Sequence, residues 1–139
     1  MNEMIRNVRV LLTIVQDGEE TVVDAAGEAV LRNSEWVVRY RETSPDLAGV
    51  VTTLTLGRDA IAVKRDGAVR SEQRFAAGRS MAGTYETPYG TLPLETRTTR
   101  LEVRFNGSAG EAEWAYELFI GGTAAGTFLA NLHVQEAEA

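Results

Sequence analysis

The chain of 139 residues has no cysteine, which excludes disulfides, thiolate nucleophiles and cysteine-based metal sites. It has a single histidine, His133, so a metal centre or a histidine-dependent triad would have to be built on that residue and carboxylates alone. No apolar run approaches the ~18 residues of a membrane-spanning helix, and no membrane partner is expected. Positive charge is in deficit: 14 Lys and Arg against 20 Asp and Glu leave a net charge of -6, which argues against non-specific attraction to nucleic acid or anionic lipid. The opening Met-Asn-Glu-Met-Ile-Arg lacks a basic stretch followed by an apolar core, so a cytoplasmic location is expected. Nothing in the sequence calls for a cofactor.

What is present points to strands. Val, Ile and Thr supply 14, 4 and 14 residues, and β-branched side chains fit a pleated sheet better than a helix. Thirteen glycines, spread along the chain, suit many tight turns. Hydrophobic residues make up 44% and charged residues 24%, the balance of a globular domain. One domain is expected over residues 3–135, with 136–139 a disordered tail.

The dominant period is two. Val8, Val10, Leu12 and Ile14 alternate with Asn7, Arg9, Leu11 and Thr13, predicting a first strand with one apolar face. Asp17-Gly18 predicts a hairpin into a second strand over 20–31, with Gly27 a candidate bulge. Asn33-Ser34 turns into a strand carrying Trp36, Val38 and Tyr40 on one face. A loop over 42–49 leads to strands over 50–56 and 60–64, and Asp66-Gly67 is a second Asp-Gly turn. Val69, Ser71, Gln73 and Phe75 share the next face; a strand over 80–85, the Thr87-Pro88-Tyr89-Gly90 bend and a strand over 91–98 follow. Leu92, Leu94, Thr96 and Thr98 have even parity but Leu101, Val103 and Phe105 odd, so a bulge is predicted between Thr98 and Arg100. Asn106-Gly107 turns into the row Trp114, Tyr116, Leu118 and Ile120; Gly121-Gly122 turns again into Phe128, Ala130, Leu132 and Val134.

No segment has a helical period or a crossover-length connection, so the fold class is all-β: about ten antiparallel strands in a meander. Such a sheet must bury one face and hide its edges. A closed barrel does both and is the expected architecture; a two-sheet sandwich is the rival.

Two segments carry a family resemblance. The first is Gly83-Thr84-Tyr85-Glu86-Thr87-Pro88-Tyr89-Gly90-Thr91-Leu92-Pro93-Leu94-Glu95-Thr96-Arg97-Thr98; the second is Lys64-Arg65-Asp66-Gly67-Ala68-Val69 followed by Arg74-Phe75 and Gly78. With the Thr52-Thr53-Leu54 strand between them and the N-terminus, they resemble the YwiB-like family of small bacterial proteins, a domain of unknown function. The resemblance covers nearly the whole chain. It implies a calycin-like β-barrel, the architecture of lipocalins and fatty-acid-binding proteins, and brings no substrate, reaction or cofactor. Pro93 departs from the pattern: proline cannot donate to a ladder, so it should sit at an edge or bulge.

Most chemistry-bearing residues read as surface. His133 opposes Leu132 and Val134 in parity and faces outward; Glu95 and Glu102, which with Glu86 could suggest an acid and base pair, lie away from the apolar rows. Arg39, Arg41, Arg70, Arg74, Arg97 and Arg104 alternate with Glu72, Glu95 and Glu113 in a pattern suited to ion pairs on the outer face. No nucleophile–base pair or metal set stands out, so no catalytic residue, and hence no enzyme, is expected.

The informative residues are polar and aromatic groups within the inward rows: Trp36, Tyr40, Gln73, Thr96, Thr98, Trp114 and Tyr116, with Tyr85 and Tyr89 flanking the Pro88 bend. A solid core has little use for buried hydroxyls, since each unsatisfied one costs ~1–3 kcal/mol. They either bond one another at a wet barrel mouth or face a cavity and a small molecule, and an interior volume above ~300 Å³ would favour the cavity. Two functions follow: a non-catalytic binding barrel for a small, mostly apolar ligand, or an interaction module whose outer face meets a partner, a second copy included. Leu11, Val15, Val37, Val51, Phe119 and Leu129, apolar on outward parities, motivate the second.

Overall fold

A computed structural model describes residues 4–106 and 109–137. Ten strands run in chain order: β1 (Arg6–Gln16), β2 (Glu19–Arg32), β3 (Glu35–Arg41), β4 (Val51–Leu56), β5 (Ala60–Asp66), β6 (Arg70–Ala76), β7 (Ser80–Thr87), β8 (Gly90–Phe105), β9 (Ala109–Ile120) and β10 (Thr123–Glu136). Each pairs antiparallel with its sequence neighbours, and β10 returns to β1, closing the barrel. No sheet edge is left among the described residues, which is the physical reason closure is preferred over a sandwich. Among the described residues the one helical element is a single 3₁₀ turn, Pro45–Leu47, in the β3–β4 loop. No helix of the described residues is long and apolar enough to cross a membrane.

Local sequence sets the turns. Asp17 and Gly18, Asn33 and Ser34, and Gly121 and Gly122 all take positive φ, as a two-residue hairpin with the twist of its strands requires. Asp66-Gly67 differs: β5 runs to Asp66 and β6 starts at Arg70, so the connection is longer than a two-residue hairpin. The predicted parity flip is real, with a register shift between Thr98 and Arg100 inside the continuous strand β8. A second shift, between Ala124 and Gly126 in β10, had no parity signature. Gly27 is not a bulge: pairing with β1 runs through it without a break. A Cβ there would meet the Arg39 carbonyl at 2.5 Å, so close strand packing explains the glycine. Pro93 pairs with Thr84 on β7 but lies one residue beyond the β8–β9 ladder, which begins at Leu94 and Ile120. Its carbonyl accepts from the Gly121 amide at the turn, and its missing N–H disturbs no rung.

The C-terminal boundary also moves. Glu136 pairs with Val8 and its carboxylate meets Arg6 at 3.2 Å, so it belongs to the barrel rather than to a tail. The remainder of the expected tail beyond Ala137, and Gly107 of the Asn106-Gly107 turn, lie outside the described residues.

The apolar rows face a common axis. Val8, Val10, Trp36, Val38, Leu54, Leu56, Ile61, Phe75 and Leu132 are essentially inaccessible. The end of the barrel that carries the β2–β3, β4–β5 and β8–β9 connections is plugged. There Trp36 stacks on Phe105 with ring centroids 5.8 Å apart, and a Cβ on Gly110 would meet Trp36 Cζ3 at 2.6 Å. Of the arginines expected to pair on the outer face, Arg74 and Arg97 meet Glu72 and Glu95 on their own strands rather than across the sheet, and Arg70 and Arg104 meet Asp66 and Glu111; Arg9–Asp24 and Arg100–Glu113 are pairs beyond those expected. Their side chains are all substantially solvated, so each contributes little to stability.

Candidate functional site

The opposite end carries the β1–β2, β3–β4, β5–β6 and β7–β8 connections, and there the interior is polar. One inward rung can be followed around the wall through the ladders: Tyr40 pairs with Thr52, Thr52 with Arg65, Arg65 with Ser71, and Ser71 with Tyr85. Glu42, the next inward position after Tyr40, turns into this layer from the start of the β3–β4 loop. Its carboxylate accepts the Thr52 hydroxyl and lies 3.6 Å from Arg65 Nε. The Glu42 side chain is 2% exposed and the Arg65 side chain 28%, so the acid is buried while the guanidinium reaches toward open space.

Beneath this rung lies a cavity of about 290 Å³. Its apolar wall is formed by Leu12, Leu54, Val63, Phe75, Trp114 and Ala130; Tyr40, Arg65, Gln73 and Tyr116 add polar groups, and Gln16, Glu19 and Thr21 of the β1–β2 hairpin stand at the rim. The volume falls just short of the ~300 Å³ named above as favouring a cavity, which is also the lower bound of the ~300–1,000 Å³ range of ligand pockets. At ~30 Å³ per water it equals about ten waters, so the occupant it admits is small. Aromatic rings pack around it: Phe75 lies 5.9 Å from Trp114 and 4.5 Å from Tyr116, and Tyr116 stacks on Phe128 at 5.2 Å. A larger hollow of about 490 Å³ lies at the plugged end beside Arg104, Phe105 and His133. It is a surface groove flanking the 105–109 turn, two of whose residues are outside the described set, and it has none of this enclosure.

The electrostatics of the polar end follow from burial. Desolvation, reinforced by the charge of Glu42 and opposed by Arg65, pushes the Tyr40 phenol well above its ordinary range. Desolvation, again opposed by Arg65, pushes Tyr116 up to about 12. Both phenols therefore hold their protons further into the alkaline range than a free tyrosine does. The Tyr40 hydroxyl, beside Glu42 and Thr52, and the Trp114 indole N–H are buried and make no hydrogen bond of ordinary geometry. Arg65 Nε also lacks one, its distance to Glu42 being that of an ion pair.

Four of the nine residues singled out from the sequence line the cavity: Tyr40, Gln73, Trp114 and Tyr116. The others do not. Trp36 is in the plug. Thr96 belongs to the wall, its hydroxyl donating to the Arg74 carbonyl, and Thr98 takes part through its backbone in bonds to the 77–79 turn. Thr96 thus ties β8 to β6 and Thr98 ties it to the β6–β7 turn, where the β6–β7 ladder has already stopped at Glu72 and Thr84. Tyr85 is half-buried and packs against the core. Tyr89 is corrected outright: it is 99% exposed at the tip of the 87–90 turn, too far out to rim the cavity. His133 faces outward as expected, with Nδ1 3.7 Å from Glu111.

Sequence reasoning missed Arg65 and Glu42. Both continue a legible alternation: Ile61, Val63, Arg65 on β5 and Trp36, Val38, Tyr40, Glu42 leaving β3. Charge at the end of each row suggested a turn, and the period-two signal that would have kept them inward was cut one step short.

Comparison with known proteins places this barrel. A family profile described as a domain of unknown function, DUF1934, matches residues 8–132. The chain is 28% identical over 110 residues to the uncharacterized β-barrel protein YwiB of Bacillus subtilis (strain 168), covering 78% of this chain and 77% of that one. It is also similar to the crystal structure of the ywiB protein from Bacillus subtilis, with a TM-score of 0.79 at 24% identity over 98% of this chain and 94% of that one. A match spanning almost every strand, from β1 to β10, makes the chain a member of the DUF1934 family of β-barrel proteins of unknown function.

Proposed function

We propose that this protein is a binding module that holds one small molecule with an apolar body inside the barrel and performs no chemistry on it. The supporting observation is the cavity of about 290 Å³, enclosed by apolar and aromatic side chains and bordered by polar groups at one end only. That asymmetry orients an amphipathic occupant, apolar end toward Trp114 and Ala130, polar end toward Arg65 and Gln73. Native mass spectrometry of the purified protein, before and after extraction with an organic solvent and reloading with short-chain amphiphiles, tests the reading. One small molecule per chain is expected, displaced when Ala130→Leu fills the cavity. A bare mass throughout, with no saturable change in tryptophan fluorescence on adding such molecules, would end it.

A second reading rests on the outer face. Leu11, Val22 and Leu129 are exposed and lie on neighbouring strands, with half-buried Val15 between them, a patch suited to a second copy of the chain. Phe119, also outward, is covered by the Arg97 guanidinium 4.3 Å from its ring centroid and adds nothing to that patch. Sedimentation equilibrium separates the readings: a monomer at high concentration removes the homodimer.

A further inference from the structure

We infer that the cavity selects an uncharged molecule carrying a carbonyl-type group, such as an amide, read by the side chains of Arg65 and Gln73; the inference rests on the binding role proposed above.

Arg65 and Gln73 both point inward and line the cavity. Gln73 pairs with Val63, two residues from Arg65 along β5, so the two are diagonal neighbours on one face, within mutual reach of a single small polar group. The Arg65 guanidinium turns its Nε side toward Glu42, at 3.6 Å. Its terminal nitrogens, like the Gln73 carboxamide, make no hydrogen bond or ion pair among the described residues and are not sealed off from open space. The Tyr116 hydroxyl lines the same cavity and is open to it as a further neutral group, whereas the Tyr40 hydroxyl and Trp114 N–H are buried away from it. Terminal guanidinium N–H groups only donate, whereas a carboxamide both donates and accepts. A ligand amide answers both, its oxygen accepting from Arg65 and its N–H donating to the Gln73 carbonyl.

The charge balance decides against an ion. Glu42, buried and bonded by Thr52, already neutralises Arg65, and Glu19 at the rim adds a further negative charge. A carboxylate entering this end would lose its hydration beside a guanidinium that Glu42 already neutralises, and an ammonium group would lose its own beside that same guanidinium; Glu19 is exposed at the rim, where water screens its charge for either ion. A neutral carbonyl incurs neither cost.

The experiment uses three probes of equal chain length, hexanamide, hexanoate and hexylammonium, titrated into the full-length protein and followed by shifts of its amide NMR resonances. Hexanamide is expected to bind roughly tenfold or more tightly than either ion, the scale of one hydrogen bond to a charged donor. Gln73→Leu, and the pair Arg65→Met with Glu42→Gln, are expected to erase most of that preference. The paired change avoids stranding a buried carboxylate, so loss of fold does not mask the result. Equal or tighter binding of hexanoate or hexylammonium overturns the inference while leaving the binding role standing. A hexanamide preference untouched by both variants overturns the assignment to Arg65 and Gln73. Binding of none of the three overturns the binding role and this inference together.

Discussion

Ala130 offers a direct test of whether the barrel interior is open. It is buried, lines the cavity, and pairs with Trp114 on one side and Ile14 on the other. Ala130→Leu adds three carbons. If they enter the cavity of about 290 Å³, each buried methyl or methylene contributes ~0.8 kcal/mol, about 2.4 kcal/mol in all. Fixing the leucine rotamer removes ~0.5–1 kcal/mol of this, leaving a net gain of about 1.5–2 kcal/mol. In a close-packed core the same change would force neighbours off their rotamers and cost ~1–3 kcal/mol. The two cases differ in sign, so the answer does not depend on the precision of either figure. Urea denaturation followed by tryptophan fluorescence gives the difference, with the slope m confirming that the unfolding reaction is unchanged. A midpoint lowered by more than the equivalent of ~1 kcal/mol at constant m would refute the open interior.

Other predictions concern the plug, the polar rung and pH. Gly110→Ala places a Cβ 2.6 Å from Trp36 Cζ3 and 2.9 Å from the Arg104 carbonyl, and should cost ~1–3 kcal/mol by thermal or urea unfolding; an unchanged midpoint would show that Trp36 is not held as described. Glu42→Gln should destabilise by ~1–3 kcal/mol, below the full cost of breaking a buried pair because Arg65 is partly solvated, and Arg65→Met added to it should recover part of the loss; strictly additive effects would deny the coupling. Raising the Tyr116 pKa from 10 to about 12 means that its neutral form stabilises the fold below pH 10. Up to ~3 kcal/mol is then lost as pH rises from about 10 to about 12, with Tyr40 acting in the same direction. Tyr116→Phe should flatten that part of the stability curve, and an identical alkaline fall in the variant would contradict it.

Much of the barrel was legible because closure needs only two signals, alternation and turns. The inward rows of β1, β3, β4, β9 and β10 contain almost uninterrupted apolar residues at period two, and the hairpins at Asp17-Gly18 and Gly121-Gly122 adopt the positive φ their residues favour. The bulge in β8 was visible because apolar parity changes across it; the one in β10 was not, because Ala124, Ala125 and Gly126 carry no face to flip. The site was half legible. Tyr40, Gln73, Trp114 and Tyr116 interrupt apolar rows, which marked them. Arg65 and Glu42 stand at the ends of rows, where charge ordinarily means solvent; their ion pair across β4, with the Thr52 hydroxyl on Glu42, compensates the inward burial. Thr96 shows the converse: parity gives the direction of a side chain but not its depth or what it bonds, and Tyr89, chosen only for its place beside the Pro88 bend, had no such signal.

The two tryptophans supply the most direct measurement. Trp114 lines the cavity, while Trp36 is buried in the plug against Phe105. In a ¹H–¹⁵N spectrum each gives its own indole N–H resonance. Titration with hexanamide should move the Trp114 indole signal to saturation and leave that of Trp36 in place. A Trp114 signal that stays fixed at every concentration, or a shift confined to Trp36, would mean that the barrel does not receive a ligand where its geometry leaves room for one.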